Sequence, residues 1–146
     1  MLTREEVVAG TCQNIIKAAG MLRKDLDSVL SAAGISGPQF GILSQLEAYG
    51  SMPLSELGKR LWVSCGNVTG LIDRLVAAGY VRRIRLNTDR RVILAEITDR
   101  GKTIMRELHP VHIERLARFT SALDEDELNQ LQVLLDKVCC STIEGD

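Results

Sequence analysis

The sequence predicts a mainly α-helical fold carrying one small β-hairpin, and three observations lead there. Aromatic residues make up only 3% of 146 residues while hydrophobic residues make up 45%, so the interior must be built from aliphatic side chains, which pack well as helix ridges and grooves. Apolar residues recur at three-and-four spacing over most of the chain. That period is broken only after Gly79, by two β-prone runs flanking a polar turn.

Arg4 to about Ala33 sets Val8, Ile15, Ala19, Leu22, Leu26 and Val29 on one stripe, and Gly34 ends this first helix. At 1.5 Å per residue it is on the order of 40 Å long, more than a core of this size can cover, so part of its apolar face requires a partner. The pattern restarts at Gly37 with Phe40, Ile42, Leu43 and Leu46, and stops near Tyr49 and Gly50. Pro53 is expected to open a short third helix that turns Leu54, Leu57 and Leu61 inward, after which Trp62 and Val63 turn the chain. Ser64 is a good N-cap for a fourth helix with Val68, Leu71, Ile72 and Leu75 as its buried stripe and Gly79 as its terminator. Two short helices so closely joined have helix-turn-helix spacing.

Tyr80 to Arg85 and Val92 to Ile97 read as strands joined through Asn87-Thr88-Asp89. Thr98 is the expected N-cap of another long helix with Ile104, Leu108, Val111 and Phe119 in phase, kinked by Pro110. Asp124 and Glu127 have capping-box spacing ahead of a last helix whose Leu128, Leu131, Leu135 and Val138 are expected to face inward. The whole is a winged helix-turn-helix between long terminal helices. It is expected to be a single domain over residues 1–146, with the winged part at 35–101 and long helices at 1–34 and 102–146.

Charge is distributed unevenly. Residues 51–100 hold nine Lys or Arg against five acids, a net +4, and the whole chain's −1 therefore leaves −5 to the flanks. A basic centre on a neutral scaffold suits phosphate binding, and equally a solvated charged face. The fourth helix argues for the former. With its apolar stripe inward, its other face presents Gly66, Asn67, Thr69, Gly70, Asp73 and Arg74, where a merely solvated helix favours Glu and Lys. Glycine costs about 1 kcal/mol relative to alanine within a helix, so something external must favour low bulk. A DNA major groove does, because the backbone approaches at the glycines while Asn67, Thr69 and Arg74 reach base edges or phosphates. Arg90 and Arg91 at the hairpin tip suit the neighbouring minor groove, with Asp89 expected to orient the Arg91 guanidinium. Arg82, Arg83 and Arg85 read more simply as outer residues of an edge strand.

The run Leu54-Ser55-Glu56-Leu57-Gly58-Lys59-Arg60-Leu61, then Val63-Ser64, Asn67-Val68-Thr69, Ile72-Asp73-Arg74-Leu75, Gly79-Tyr80-Val81-Arg82-Arg83, Asp89-Arg90-Arg91 and Ile97-Thr98-Asp99-Arg100-Gly101 resembles the MarR family of winged helix-turn-helix regulators. The resemblance covers residues 35–101 in motif detail and implies a cytoplasmic homodimer built from the terminal helices, reading a pseudo-palindromic duplex and commonly repressing transcription. By position it places Ser64, Asn67, Thr69 and Arg74 in the recognition helix and Asp89 and Arg91 in the wing motif. The chain departs from the family where Gly58 replaces the usual alanine, which is expected to loosen the third helix by about 1 kcal/mol.

The resemblance also implies release from DNA by a small phenolic ligand, a metal or an oxidant. Cys12 resembles in position the reactive cysteine of the family's peroxide-sensing branch, although that branch surrounds it with tyrosines and this chain has only Tyr49 and Tyr80; read by itself it is a buried structural cysteine. Cys65, beside a helix N-terminus, is the second redox candidate, and Cys139 and Cys140 are adjacent thiols near the C-terminus. His109 and His112 are better read as exposed polar residues than as zinc ligands, and neither a metal nor a cofactor is expected. An apolar cavity between the long helices and the winged part would hold a small aromatic acid. No stretch approaches a membrane span and Met1 opens no signal-like segment, which sets the expectation of a cytoplasmic protein. Two other classes stay open: a thiol enzyme or cysteine redox sensor, disfavoured because no nucleophile elbow, Cys-x-x-Cys or phosphate loop is present, and a winged helix used only for protein contacts.

Overall fold

The computed structural model describes residues 1–61 and 63–143, apart from the side chains of Cys65, Thr142 and Ile143. The expectations placed on Trp62 and on the Cys65 thiol therefore lie outside the described residues. The described chain is mostly helical with a small antiparallel sheet, in the order α1 (Arg4–Ala32), α2 (Gly37–Tyr49), β1 (Met52–Pro53), α3 (Leu54–Leu61), α4 (Cys65–Ala77), β2 (Val81–Arg85), β3 (Ile93–Ile97), α5 (Asp99–Phe119) and α6 (Glu125–Ile143). It divides into two compact units, Met1–His112 and Ile113–Asp146.

The first unit is organised by local signals. α1 begins in a capping box, with the Glu6 amide donating to Thr3 Oγ1 and the Thr3 amide to Glu6 Oε2. α2 begins in another between Ser36 and Gln39. Neither box was singled out from the sequence, although both have the Ser/Thr-x-x-Glu/Gln spacing. α1 ends as Gly34, at φ +72°, lets the Ile35 amide reach back to the Leu30 carbonyl; α4 ends likewise, with Gly79 at φ +79° and the Tyr80 amide on the Leu75 carbonyl.

The sheet has the order β1-β3-β2, and β2 and β3 form the wing hairpin in the register Val81 with Ile97 through Arg85 with Ile93. The expected placement of Pro53 in the first turn of α3 is corrected. Pro53 belongs to β1, opposite Leu94, and α3 starts at Leu54. A proline is tolerated there because β1 is an edge strand.

Leu30, Ile35, Phe40, Ile42, Leu43 and Leu46 meet Leu57 of α3, Val68, Ile72 and Leu75 of α4, Val81, Ala95 and Ile97 of the sheet, and Met105 and Leu108 of α5 in one core. Helix-period reading found most of these positions. It missed Met105, which is 1% exposed, and overplaced Val111 and Phe119, which are exposed. Gly58 is buried, and a Cβ there would lie 2.9 Å from the Val63 carbonyl oxygen. The glycine thus lets the turn after α3 close, through the Val63 amide on the Gly58 carbonyl at 3.0 Å, an offset to its poor helix propensity.

The second unit contains α6, opened by the expected capping box: the Glu127 amide donates to Asp124 Oδ1 and the Asp124 amide to Glu127 Oε2. The expectation that its apolar stripe faces inward is corrected. Leu128, Leu131, Leu135 and Val138 are all exposed, as are Val8 and Ile15 on α1. Periodicity locates an apolar stripe but does not say whether the same chain covers it. α5 runs as one helix through Pro110.

Among the glycines described, the closest approach lies at Gly101, where a Cβ would stand 2.3 Å from the Tyr80 carbonyl oxygen and 2.7 Å from Ile97 Cγ1. Gly101→Ala is expected to lower stability by about 1 to 3 kcal/mol, the usual cost of overpacking, read as a lower midpoint in urea at unchanged slope.

Candidate nucleic-acid interface

α4 forms as a helix because its sequence separates cleanly by face. Val68, Ile72 and Leu75 are 0–1% exposed and Leu71 is half-buried, whereas Ser64, Gly66, Asn67, Thr69, Gly70, Asp73 and Arg74 all lie on the exposed side. The N-terminus is held as expected, with the Asn67 amide donating to Ser64 Oγ at 3.5 Å and the Val68 amide to the Ser64 carbonyl at 3.0 Å. A Cβ placed on either Gly66 or Gly70 would meet nothing within 4 Å. Among the described residues no packing constraint accounts for these glycines, and the helix carries their propensity cost without a return there.

The wing lies close by and is tied to this helix. β2 presents Arg82 and Arg83 to opposite faces, as successive strand residues must. Arg82 pairs across the hairpin with Glu96, its register partner. The hydrogen bond and charge of Glu96 raise the Arg82 pKa, and the hydrogen bond from Arg82, ahead of the other influences, holds the Glu96 carboxyl below its ordinary range. Arg83 reaches instead to Asp73 on α4, binding wing strand to helix. The plain edge-strand reading of these two arginines is thus replaced by two specific ion pairs. Arg74, Arg85, Arg90 and Arg91 are exposed and have no ion-pair partner among the described residues.

Asp89 acts differently from expectation. Its Oδ1 accepts the backbone amide of Arg91 at 3.0 Å, and its carbonyl accepts the Val92 amide at 3.2 Å. A short carboxylate two residues back reaches an amide more readily than a guanidinium at the end of a long side chain, so Asp89 shapes the turn rather than aiming the Arg91 head group. At the base of the wing, Thr98 Oγ1 donates to the Gly79 carbonyl at 2.6 Å and accepts the Gly101 amide at 3.1 Å, while the Thr98 amide donates to the Tyr80 carbonyl at 3.0 Å. Sequence reading recognised Thr98 as a cap but not as the link between the end of α4 and the start of α5.

Of the redox candidates, Cys12 is exposed, which corrects the reading of it as a buried structural cysteine; Cys139 and Cys140 are exposed as well. His109 is exposed, but His112 is not: it is half-buried with its ring against Phe40. No group of three or more His, Cys, Asp or Glu is gathered as a metal site among the described residues. No helix among them is long and apolar enough to cross a membrane.

Comparison with known proteins gives concordant results. The MarR family model matches residues 35–93. The multiple antibiotic resistance protein MarR of Escherichia coli K12 is 33% identical over 114 residues, covering 77% of this chain and 79% of that protein. An uncharacterised HTH-type transcriptional regulator of Bacillus subtilis 168, YkoM, is 38% identical over 104 residues, covering 71% of this chain and 68% of the relative. Among solved structures, a MarR family transcriptional regulator from Streptomyces coelicolor in complex with DNA superposes with a TM-score of 0.86 at 26% identity, over 95% of this chain and 88% of that one. A mutant MarR from E. coli complexed with operator DNA gives a TM-score of 0.83 at 28% identity, over 94% and 99%.

Two stability outcomes follow from the geometry. Gly70→Ala is expected to raise folding stability by up to about 1 kcal/mol, because the new methyl meets open space in a helix interior. In Asp89→Ala the turn loses its acceptor while Asp89→Asn keeps one, so amide exchange at Arg91 is expected to quicken in the first variant only.

Proposed function

The chain belongs to the MarR family of transcriptional regulators, DNA-binding factors rather than enzymes, and from that premise we propose that it is a sequence-specific repressor that grips a pseudo-palindromic duplex as a homodimer. The observation that carries this reading is the lean outer face of α4, whose two glycines are not required by packing among the described residues. In a major groove Gly66 and Gly70 allow close backbone approach, Asn67 and Thr69 meet base edges, and Ser64 and Arg74 contact phosphates at the groove's rim. Arg90 and Arg91, on the turn that Asp89 holds, enter the adjacent minor groove, where a narrow groove concentrates negative potential. The Arg83–Asp73 pair keeps the two reading elements in one relative orientation. The DNA complexes of the two structural relatives support a duplex as the partner.

Dimerisation is supported by apolar area left uncovered. Val7, Val8, Ile15, Ile16 and Met21 on α1 are 38–73% exposed, and the α6 stripe is open along its length. Faces of this kind on two long helices suit a second copy of the chain, which would also set the spacing of the two recognition helices.

For the signal, the reading is a small aromatic acid or an oxidant. A cleft of about 610 Å³ in the first unit is lined by Leu22, Leu26 and Leu30 of α1, Phe40 of α2 and Leu61 of α3, with Arg23 at its side. Aliphatic walls, the Phe40 ring and the Arg23 guanidinium suit a planar ring bearing a carboxylate, in a cleft that Asp27 and the His112 ring also line. Cys12, exposed on α1, is the candidate for an oxidant signal. A release mechanism of either kind requires only that the dimer's recognition helices change spacing.

Salt-dependent titration of duplex DNA tests the reading. Arg91→Ala is expected to weaken binding to every duplex and to flatten the slope of log affinity against log salt by about 1, whereas Asn67→Ala changes preference among sequences at a similar slope. Gly70→Ala is the sharper case, since it should bind its operator about tenfold or more weakly, roughly 1.4 kcal/mol, although its fold is more stable. Full binding by that variant, or an unaltered salt slope in Arg91→Ala, would remove the support for the proposed groove contacts.

A further inference from the structure

The contact between the buried Phe40 and the half-buried His112 is a feature that the DNA-binding reading does not use. The two ring centroids lie 4.4 Å apart at an interplanar angle of 36°, and Phe40 is itself a core residue. His112 lines the cleft beneath α1 with its Nδ1 enclosed and without a hydrogen-bond partner among the described residues. Around it the walls are largely aliphatic: Leu22, Leu26, Leu30 and Leu61.

We propose that His112 makes the seating of α2 against α5 proton-sensitive: the neutral ring packs on Phe40 within the cleft, the protonated ring has no adequate site there, and acid therefore loosens this contact. A neutral imidazole needs one donor and leaves the other nitrogen as a lone pair, which an apolar wall tolerates at modest cost. An imidazolium carries a donor on both nitrogens, so protonation would place an unmet charged N–H at Nδ1, far costlier than an unmet lone pair. The Phe40 face offers some attraction to a cation, which does not replace lost hydration.

The charged groups lining the cleft act in both directions, Asp27 favouring a charged ring and Arg23 opposing it. α1 contributes Arg23 and Asp27 to the cleft, whereas the lining residues of α2 and α3, Gly37, Pro38, Phe40 and Leu61, and Val63 beyond α3 are uncharged. On α5 the neighbour is His109, one turn away. Burial, and then the positive charge of His109, push the His112 pKa below its ordinary 6.5. The sign follows from linkage. Above pH 6.5 the ring is neutral whether the contact is closed or open, and the closed state bears no penalty. As pH falls through that value the open or unfolded chain takes up a proton that the closed state refuses. The closed form then loses up to about tenfold in relative population per pH unit, until the pH reaches the depressed pKa. The device needs neither DNA nor a ligand, so it stands or falls separately from the groove contacts.

Its test uses the intact chain and its only two histidines. Their imidazole proton resonances, followed by NMR from about pH 8 to about pH 5, should give His112 an apparent pKa below the ordinary 6.5. Urea midpoints measured over the same range should fall with acidification, and His112→Phe and His112→Gln should both flatten that fall, whichever of them is the more stable at neutral pH. His109→Asn should retain it. A His112 resonance titrating at or above 6.5, or an undiminished acid dependence in both His112 variants, would overturn the proposal.

Discussion

The knot of contacts around Thr98 and Gly101 is the constraint on which the remaining geometry depends. Thr98 donates to the Gly79 carbonyl just past α4, takes the Gly101 amide at the start of α5 and, through its own amide, holds the Tyr80 carbonyl at the foot of β2. Gly101 lets that carbonyl sit where any side chain would stand. One threonine and two glycines thus join the end of the exposed helix, both strands of the wing and the following helix. Nearby, Arg100 lies over the Tyr80 ring with its guanidinium carbon 5.5 Å from the centroid, adding a cation–π contact to the same corner. Without this junction the α4 face and the wing tip would be separate features rather than parts of one surface.

Electrostatics on that surface are arranged by subtraction. The central segment is rich in arginine, but Arg60, Arg82 and Arg83 are each occupied by a carboxylate, from Glu56, Glu96 and Asp73. These pairs are largely exposed and contribute little to stability; their effect is to fix direction. Arg74, Arg85, Arg90 and Arg91 are the arginines of α4 and the wing that stay exposed with no ion-pair partner among the described residues. The acids in the segment are thus better understood as sorting the arginines than as weakening a positive field.

Much of this architecture was legible in the residues. Gly34 and Gly79, Ser64, Thr98 and the Asp124–Glu127 box marked helix ends, and the inward stripe of α4 appeared as read. What escaped depended on contacts distant in sequence or on chain not present. Pro53 reads as a helix-opening residue until Leu94 lies beside it. Asp89 reads as a partner for a guanidinium until the nearest amide is located. His112 reads as solvent-exposed because nothing local announces that Phe40, seventy-two positions earlier, will meet its ring. The α6 stripe shows the complementary limit, since its leucines are correctly phased and yet uncovered.

The outward side of α4 has one more implication, which concerns how such a surface changes over time. Because a Cβ on Gly66 or Gly70 would meet nothing within 4 Å among the described residues, exchanging either one leaves Val68, Ile72 and Leu75 undisturbed. On the proposed reading, target choice at these two positions is therefore free to drift, or to be rewritten by design, while the scaffold beneath is inherited intact.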